Sequence, residues 1–357
     1  VVCLSCQNTI KVNLNIQQTF FLTTSVWLVL PIFGAIPFMI GETDARFTDA
    51  FFEAMSGFTT TGSTVFDSLD TLPRGLLLWR GLMQWFGGIG VVIVAMVFLP
   101  VLRVGGMQIF RTEGFDTFGK ILPRAAEISR SISSIYVFLT ILCLIAYSIA
   151  GMSFFDALVH SMTTIATGGF ANYDTSFENM GASVEYVAVI FMILAALPFV
   201  RYVQLIGGSV KSFISDPQVK TFLITAGVVT FILIVWQINY VTNSYEFAIR
   251  KAAFNGVSIL TGTGFASDNY LSWGSFPVTF FFLIGGCAGS TTCSIKIFRF
   301  QLLFASVSAQ IKRIHSPNGV FQPRYNKKPV AEDIISSVMA FFVLFMVTLA
   351  ILAVALG

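Results

Sequence analysis

Long apolar runs separated by short polar ones set the plan of this chain. A helix needs about 20 apolar residues to cross a hydrocarbon core. Seven segments reach or approach that length: 20–40, 76–102, 135–151, 184–206, 221–240, 276–307 and 334–356. The sixth is too long for one span, and a Gly/Ser/Thr stretch interrupts it. The intervening segments divide by charge. Arg103 to Arg130 follow the second span, Arg201, Lys211 and Lys220 the fourth, and Lys296 to Lys328 the sixth, while the opposite side is acidic, from Glu42 and Asp44 to Glu246 and Asp268. Cations concentrate on cytoplasmic loops, so the N-terminus reads as cytoplasmic. An acidic outer face also raises the local concentration of cations.

Composition agrees with the pattern. Hydrophobic residues make up 55% of the 357 and charged residues 11%, against roughly 25% charge in a soluble domain. Such a chain cannot cover itself in water. It reads as a polytopic membrane protein embedded in a lipid bilayer, which excludes a soluble enzyme, a nucleic-acid binder and a disordered scaffold. Cys3 and Cys6 form a lone CxxC, and Cys143, Cys287 and Cys293 lie in apolar or small-residue runs; without a second CxxC or a His cluster this is weak evidence for metal. The first residues lack the basic and apolar regions of a signal peptide.

The outer segments after spans one, three and five repeat. Ala50-Phe-Phe-Glu-Ala-Met-Ser-Gly-Phe-Thr-Thr-Thr-Gly62, Ala157-Leu-Val-His-Ser-Met-Thr-Thr-Ile-Ala-Thr-Gly-Gly169 and Ala252-Ala-Phe-Asn-Gly-Val-Ser-Ile-Leu-Thr-Gly-Thr-Gly264 align without gaps. Each is a moderately apolar stretch of about a dozen residues, too short to span and typical of a re-entrant helix. Each turns Thr/Gly-rich at its end. The unit is span, short re-entrant helix, Thr/Gly loop, span. Repeated membrane units arrange around a site, and non-helical backbone at membrane depth belongs where protein buries it or where it lines a cavity.

Those residue types suit a cation. A dehydrated monovalent ion needs a ring of oxygens in place of its water, and backbone carbonyls supply one. Glycine reaches the backbone angles that turn successive carbonyls inward, and a re-entrant helix ending at the loop points its partly negative C-terminus at the centre. The candidate filter residues are Thr60, Thr61 and Gly62, then Thr167, Gly168 and Gly169, then Gly262, Thr263 and Gly264. No carboxylate lies in these loops, which disfavours a divalent site. Glu53, His160 and Asn255 occupy one register position, read as a polar position behind the filter. The plain alternative for any single copy is a tight turn.

In the sixth span Gly285, Gly286, Cys287, Ala288, Gly289, Ser290, Thr291 and Thr292 run on through Cys293 to Ser294. Each Gly costs a helix interior about 1 kcal/mol relative to Ala. A flexible loop that gates the pathway and close helix packing through small residues are both open readings. Arg299 is expected to snorkel to the headgroups, and Lys296 to hold the loop or line the inner vestibule.

Together these residues resemble the TrkH branch of the TrkH/TrkG/KtrB potassium-uptake family. Ser56-Gly-Phe-Thr-Thr-Thr-Gly62, Gln84-Trp-Phe-Gly-Gly-Ile-Gly90, Val104-Gly-Gly-Met-Gln108, Thr164-Ile-Ala-Thr-Gly-Gly-Phe170 and Gly285-Gly-Cys-Ala-Gly-Ser-Thr291 carry the likeness. It implies an all-α membrane protein of four repeats of outer helix, pore helix, filter and inner helix around a central, K⁺-channel-like pore. The inner helix of the third repeat is broken by an intramembrane gating loop at 285–294. It further implies K⁺ as the transported and filter-bound ion with no organic cofactor, a homodimer in a prokaryotic inner membrane, and a cytoplasmic nucleotide-binding ring of TrkA type that controls the gate. The repeats fall at 20–102, 103–206 and 207–307, after a cytoplasmic segment 1–19; 308–357 reads as a linker and the outer helix of an incomplete fourth repeat, so the chain reads as a fragment of a longer protein. Thr292, Cys293 and Ser294 stand where similar proteins tend to have further glycines. Rival readings are a Na⁺-permeable or cation-coupled relative, a secondary transporter, and a non-conducting fragment; the second rival wants an ionisable residue at the midplane, whereas Glu53, His160 and Arg80 lie toward the outer ends of their segments. With two histidines on opposite sides of the membrane, no nucleophile–base pair suggests an enzyme.

Overall fold

The computed structural model describes residues 16–97, 106, 125–242, 244–268, 273 and 281–356. Cys3 and Cys6, most of the basic segment after the second span with its Val104–Gln108 motif, and the opening of the sixth span lie outside the described residues.

Apolar runs become helices here because a helix satisfies every backbone group within one segment. The first unit comprises α1 (Ile16–Ile40), α2 (Phe47–Phe58) and α3 (Arg74–Val97). The second comprises α4 (Ala125–Ile149), α5 (Phe154–Ile165), α6 (Ala182–Ala195) and α7 (Phe199–Ile206). After the short α8 (Val210–Ile214), the third comprises α9 (Pro217–Tyr240), α10 (Tyr245–Thr261) and α11 (Ile297–His315). A two-stranded hairpin, Arg324–Tyr325 with Lys328–Pro329, precedes α12 (Glu332–Leu356). Among the described residues four helices are long and apolar enough to cross a membrane, or five if the bent pair α6–α7 counts as one span.

Outer helix packs on short helix in each unit, as α1 on α2, α4 on α5 and α9 on α10. Each inner helix then packs on the short helix of the next unit, α3 on α5 and α6 on α10. At 1.5 Å per residue, the 12 residues of α2 and of α5 reach about 18 Å, too short to cross. Ser153 starts α5 by accepting from Asp156 N–H, and Asp216 starts α9 by accepting from Gln218 and Val219 N–H, with Pro217 in the first turn. α12 leaves its apolar residues exposed except for Val338 and a few half-buried neighbours, as a lipid-facing helix does.

Several boundaries differ from the sequence reading. The fourth span, 184–206, is not straight: α6 and α7 meet at 87°, because Pro198 lacks the N–H that would continue α6. Among the described residues of the sixth span, 282–296 is not helical, and the helix that opens at Ile297 runs on to His315. The first begins at Ile16 rather than 20. The third re-entrant helix has 17 residues rather than a dozen.

Candidate functional site

The three short helices end in one way. Thr60 N–H donates to Gly57 O at 3.1 Å and Thr61 N–H to Ser56 O at 2.9 Å. Thr167 N–H and Gly168 N–H repeat this onto Thr164 O and Thr163 O, at 3.0 and 2.9 Å, and Gly262 N–H and Thr263 N–H onto Ile259 O and Ser258 O, also at 3.0 and 2.9 Å. This paired pattern is the Schellman ending, which needs a left-handed residue just past the helix. Thr60 (φ +55°), Thr167 (φ +48°) and Gly262 (φ +70°) supply it. A β-branched residue there is an outlier that costs of order 1–3 kcal/mol and marks functional backbone more often than ordinary turns. Two positions on, Gly62 (+83°), Gly169 (+82°) and Gly264 (+85°) are left-handed again, while Thr61, Gly168 and Thr263 between them are not. Alternating hand turns successive carbonyls to one side of the strand.

These loops converge. A Cβ on Gly62 would overlap the Gly168 carbonyl oxygen of the second unit, and a Cβ on Gly169 the Thr263 carbonyl oxygen of the third. Gly264 has open space at the matching place. The nine candidate residues therefore form one arc, with Thr61 and Gly264 exposed at its two ends.

Behind each loop one polar side chain of the short helix grips the backbone twelve residues on. Val65 N–H donates to Glu53 Oε2 at 3.1 Å, Asn172 N–H to His160 Nε2 at 3.4 Å and Ser267 N–H to Asn255 Oδ1 at 3.0 Å. All three side chains are fully buried. His160 accepts at Nε2, and its Nδ1–H is then the donor to Asp156 O at 2.8 Å, so the ring is neutral. Three unlike residues fill one role because each offers an acceptor at the same height.

Neighbouring units are joined by buried charge. Arg80 Nε pairs with Glu53 Oε1 at 2.7 Å, its Nη1 donates to Ala171 O at 2.9 Å, and its guanidinium lies 4.1 Å from the Phe170 ring centre. Between units two and three, Lys251 Nζ pairs with Glu185 Oε1 at 2.9 Å and donates to Ser267 O at 2.6 Å. Gln84 closes the first joint from the inside: its Nε2 donates to Gly168 O at 2.6 Å and its Oε1 accepts from Phe170 N–H at 3.0 Å. Gly87 and Gly88 lie against the ends of the first two short helices, where a Cβ would overlap Phe58 O and crowd Ala166. That close approach explains Gly87 and Gly88 in the Gln84–Gly90 motif.

The loop 285–292 is buried throughout. Gly285 N–H donates to Ile295 O at 2.9 Å and Ile297 N–H to Gly286 O at 3.1 Å, which closes its neck. Ser290 Oγ reaches Cys287 O at 2.6 Å and Thr292 Oγ1 at 2.8 Å. Lys296 Nζ donates to the Thr292 carbonyl and, at 2.9 Å, to its hydroxyl. Lys296 is thus bonded to the end of the loop. Arg299 does not snorkel: it is buried, with its guanidinium 3.8 Å from the Phe341 ring centre, because an aromatic face of α12 is at hand.

The sequence marks both candidate loops as motifs but shows little of what supports them. Arg80, Lys251 and Glu185 carried a visible signal, as charges inside or beside apolar runs. Gln84 was visible only as part of a motif, and Gln218, which accepts from Ala288 N–H at 2.9 Å, gave none.

A helical membrane chain whose repeated short helices bring their C-termini together on left-handed loops is of the class built around a pathway for small cations. More particularly, the chain belongs to the TrkH family, described as "Cation transport protein", which matches residues 2–356. It is 41% identical over 356 residues to the Trk system potassium uptake protein TrkI of Halomonas elongata, covering 98% of this chain and 72% of that one. It is 37% identical over 342 residues to the Trk system potassium uptake protein TrkH of Escherichia coli, covering 93% and 71%. The crystal structure of the potassium transporter TrkH from Vibrio parahaemolyticus superposes with a TM-score of 0.86 at 31% identity, over 96% of this chain and 72% of that one. The chain is thus a multi-pass membrane protein of a non-enzymatic transport family.

Proposed function

We propose that this chain forms three sides of a K⁺-selective uptake pore, with Thr60–Gly62, 167–169 and 262–264 as its filter and 285–292 with Lys296 as its gate. The observation that carries the reading is the threefold recurrence of the left-handed ending and left-handed glycine, with Gly62 set against Gly168 O and Gly169 against Thr263 O. Carbonyls turned to one side replace the water of a dehydrated K⁺, and the helix ends add partial negative charge. A fourth unit, with α12 as its outer helix, closes the ring between Thr61 and Gly264. The family likeness supports two further proposals: a homodimer in a bacterial inner membrane, and a TrkA-type nucleotide-binding ring docked on the basic loops.

The test is ion uptake into vesicles carrying the full-length protein. Rb⁺ and K⁺ should enter and Na⁺ much less, and Gly169→Ala should erode that preference. Equal entry of Na⁺ and K⁺ would favour the Na⁺-permeable alternative.

A further inference from the structure

Two interruptions of the helical backbone lie against each other and complete each other's hydrogen bonds. α6 ends at Ala195, and the chain turns by 87° before α7. The turn exposes the last carbonyls of α6 and the first N–H of α7, groups that must find partners inside a membrane. They find them in the 285–292 loop. Cys287 N–H donates to Ala196 O at 3.0 Å, Thr291 Oγ1 to Ala195 O at 3.3 Å, and Phe199 N–H to Gly289 O at 2.9 Å. Ala288, between two of these, donates its N–H to Gln218 Oε1 at 2.9 Å.

Gln218 is itself placed by a buried carboxylate. Asp216 Oδ1 accepts from Gln218 N–H at 2.7 Å, and Asp216 Oδ2 pairs with Arg201 Nε of α7 at 2.5 Å. The elbow and the start of α9 are thus one body, and four bonds tie the loop to it. Its far end leads to exposed residues at 207–211. The loop has internal bonds of its own through Ser290, Thr292 and Lys296. It can therefore keep its shape while its outside anchors are made or broken. Close packing through small residues alone would require none of these anchors.

We propose that Gln218 and the elbow at Pro198 are positioning elements for the gate: they hold the loop in its blocking place, and displacement of the α7–α8 arm, carried through Arg201, Asp216 and Gln218, releases it. This inference rests on the gating role proposed above for 285–292.

Cys287, fully buried in the loop, provides a probe that does not depend on conduction. In the full-length protein with its other cysteines replaced by alanine, the rate at which Cys287 reacts with a water-soluble maleimide reports the loop's position, and Rb⁺ uptake reports the gate. Gln218→Leu removes the acceptor and should raise both rates about five-fold, the shift that one net buried hydrogen bond gives a two-state equilibrium. The preference for K⁺ over Na⁺ should stay as in the parent. Gln218→Glu, whose carboxyl is kept neutral by burial and by the neighbouring Asp216, retains an accepting oxygen and should behave as the parent; simple damage to packing would lower uptake instead. Pro198→Ala, which lets α6 run on and recapture its own carbonyls, should act like Gln218→Leu and carries the test where that variant does not fold. Cys287 remaining equally protected in both variants would overturn the proposal. A protein that takes up no Rb⁺, yet whose Cys287 follows this pattern, would sink the pore reading while supporting this one.

Discussion

Replacing Glu53 by glutamine keeps the side chain's shape and removes its charge. In the native protein that carboxylate accepts from Arg80 Nε at 2.7 Å, from Thr64 Oγ1 at 3.0 Å and from Val65 N–H at 3.1 Å. Arg80 is 1% exposed and Glu53 is fully buried, so water cannot replace either partner. The amide leaves a buried guanidinium without its counter-charge and turns one accepting oxygen into a donor that faces Val65 N–H or the Thr64 hydroxyl. Removing one partner of a buried pair costs about 3–5 kcal/mol, and Glu53→Gln should fall in that range. Arg80→Met, which leaves the carboxylate unpaired, should cost a similar amount. The double variant should cost less than the sum by about 2 kcal/mol or more, because the second change removes the orphan left by the first. Equilibrium unfolding in mixed detergent micelles measures all four corners of the cycle. A Glu53→Gln loss below about 1 kcal/mol, in the range of an exposed pair, or additive single losses, would refute the claim that this buried pair within the first unit fixes Arg80 for its contacts with Ala171 O and Phe170 of the second.

Further consequences concern the backbone of the proposed filter and its supports. Gly62→Ala and Gly169→Ala each add a Cβ that overlaps a carbonyl of the next unit at a left-handed φ, so both should lower the K⁺/Na⁺ uptake ratio; an unchanged ratio in both would count against the arc as a filter. Gln84→Leu strips a donor from Gly168 O and an acceptor from Phe170 N–H, which should cost about 1–3 kcal/mol in unfolding free energy and broaden selectivity, whereas Gln84→Glu should retain the bond to Phe170. Asn255→Asp keeps the acceptor for Ser267 N–H and Asn255→Leu does not; Leu should lower the unfolding midpoint by clearly more than Asp, and equal losses would show that the bond to Ser267 contributes nothing.

The repeated helices and loops were legible because they follow from local rules. A short apolar run that ends in Thr and Gly between two spans identifies a re-entrant helix and its turn with no knowledge of neighbours, and three copies in register fix the offsets of Gly62, Gly169 and Gly264. The shared place of Glu53, His160 and Asn255 was legible for the same reason. What each one grips was not, since a carboxylate, an imidazole and an amide share no residue type, only an acceptor at one height.

The supports escaped sequence reading because they depend on elements far apart in the chain. Arg80 reaches Glu53 and Ala171, Gln84 reaches Gly168, and Gln218 reaches Ala288, separations of 27 and 91, 84 and 70 residues. The bend at Pro198 had a local signal, a proline inside a predicted span, but its consequence did not: whether the freed carbonyls of Ala195 and Ala196 face lipid, water or another backbone is decided only when the third unit closes on the second. That closure explains how two unpaired stretches of backbone can persist side by side at membrane depth. A broken helix alone would leave several buried polar groups without partners, at about 1–3 kcal/mol each; two breaks that meet leave Cys287 N–H, Gly289 O, Phe199 N–H and Ala196 O satisfied. The same pairing keeps the loop ordered yet separable, because its bonds run to other elements rather than within one helix, and these are the two properties the proposed gate requires.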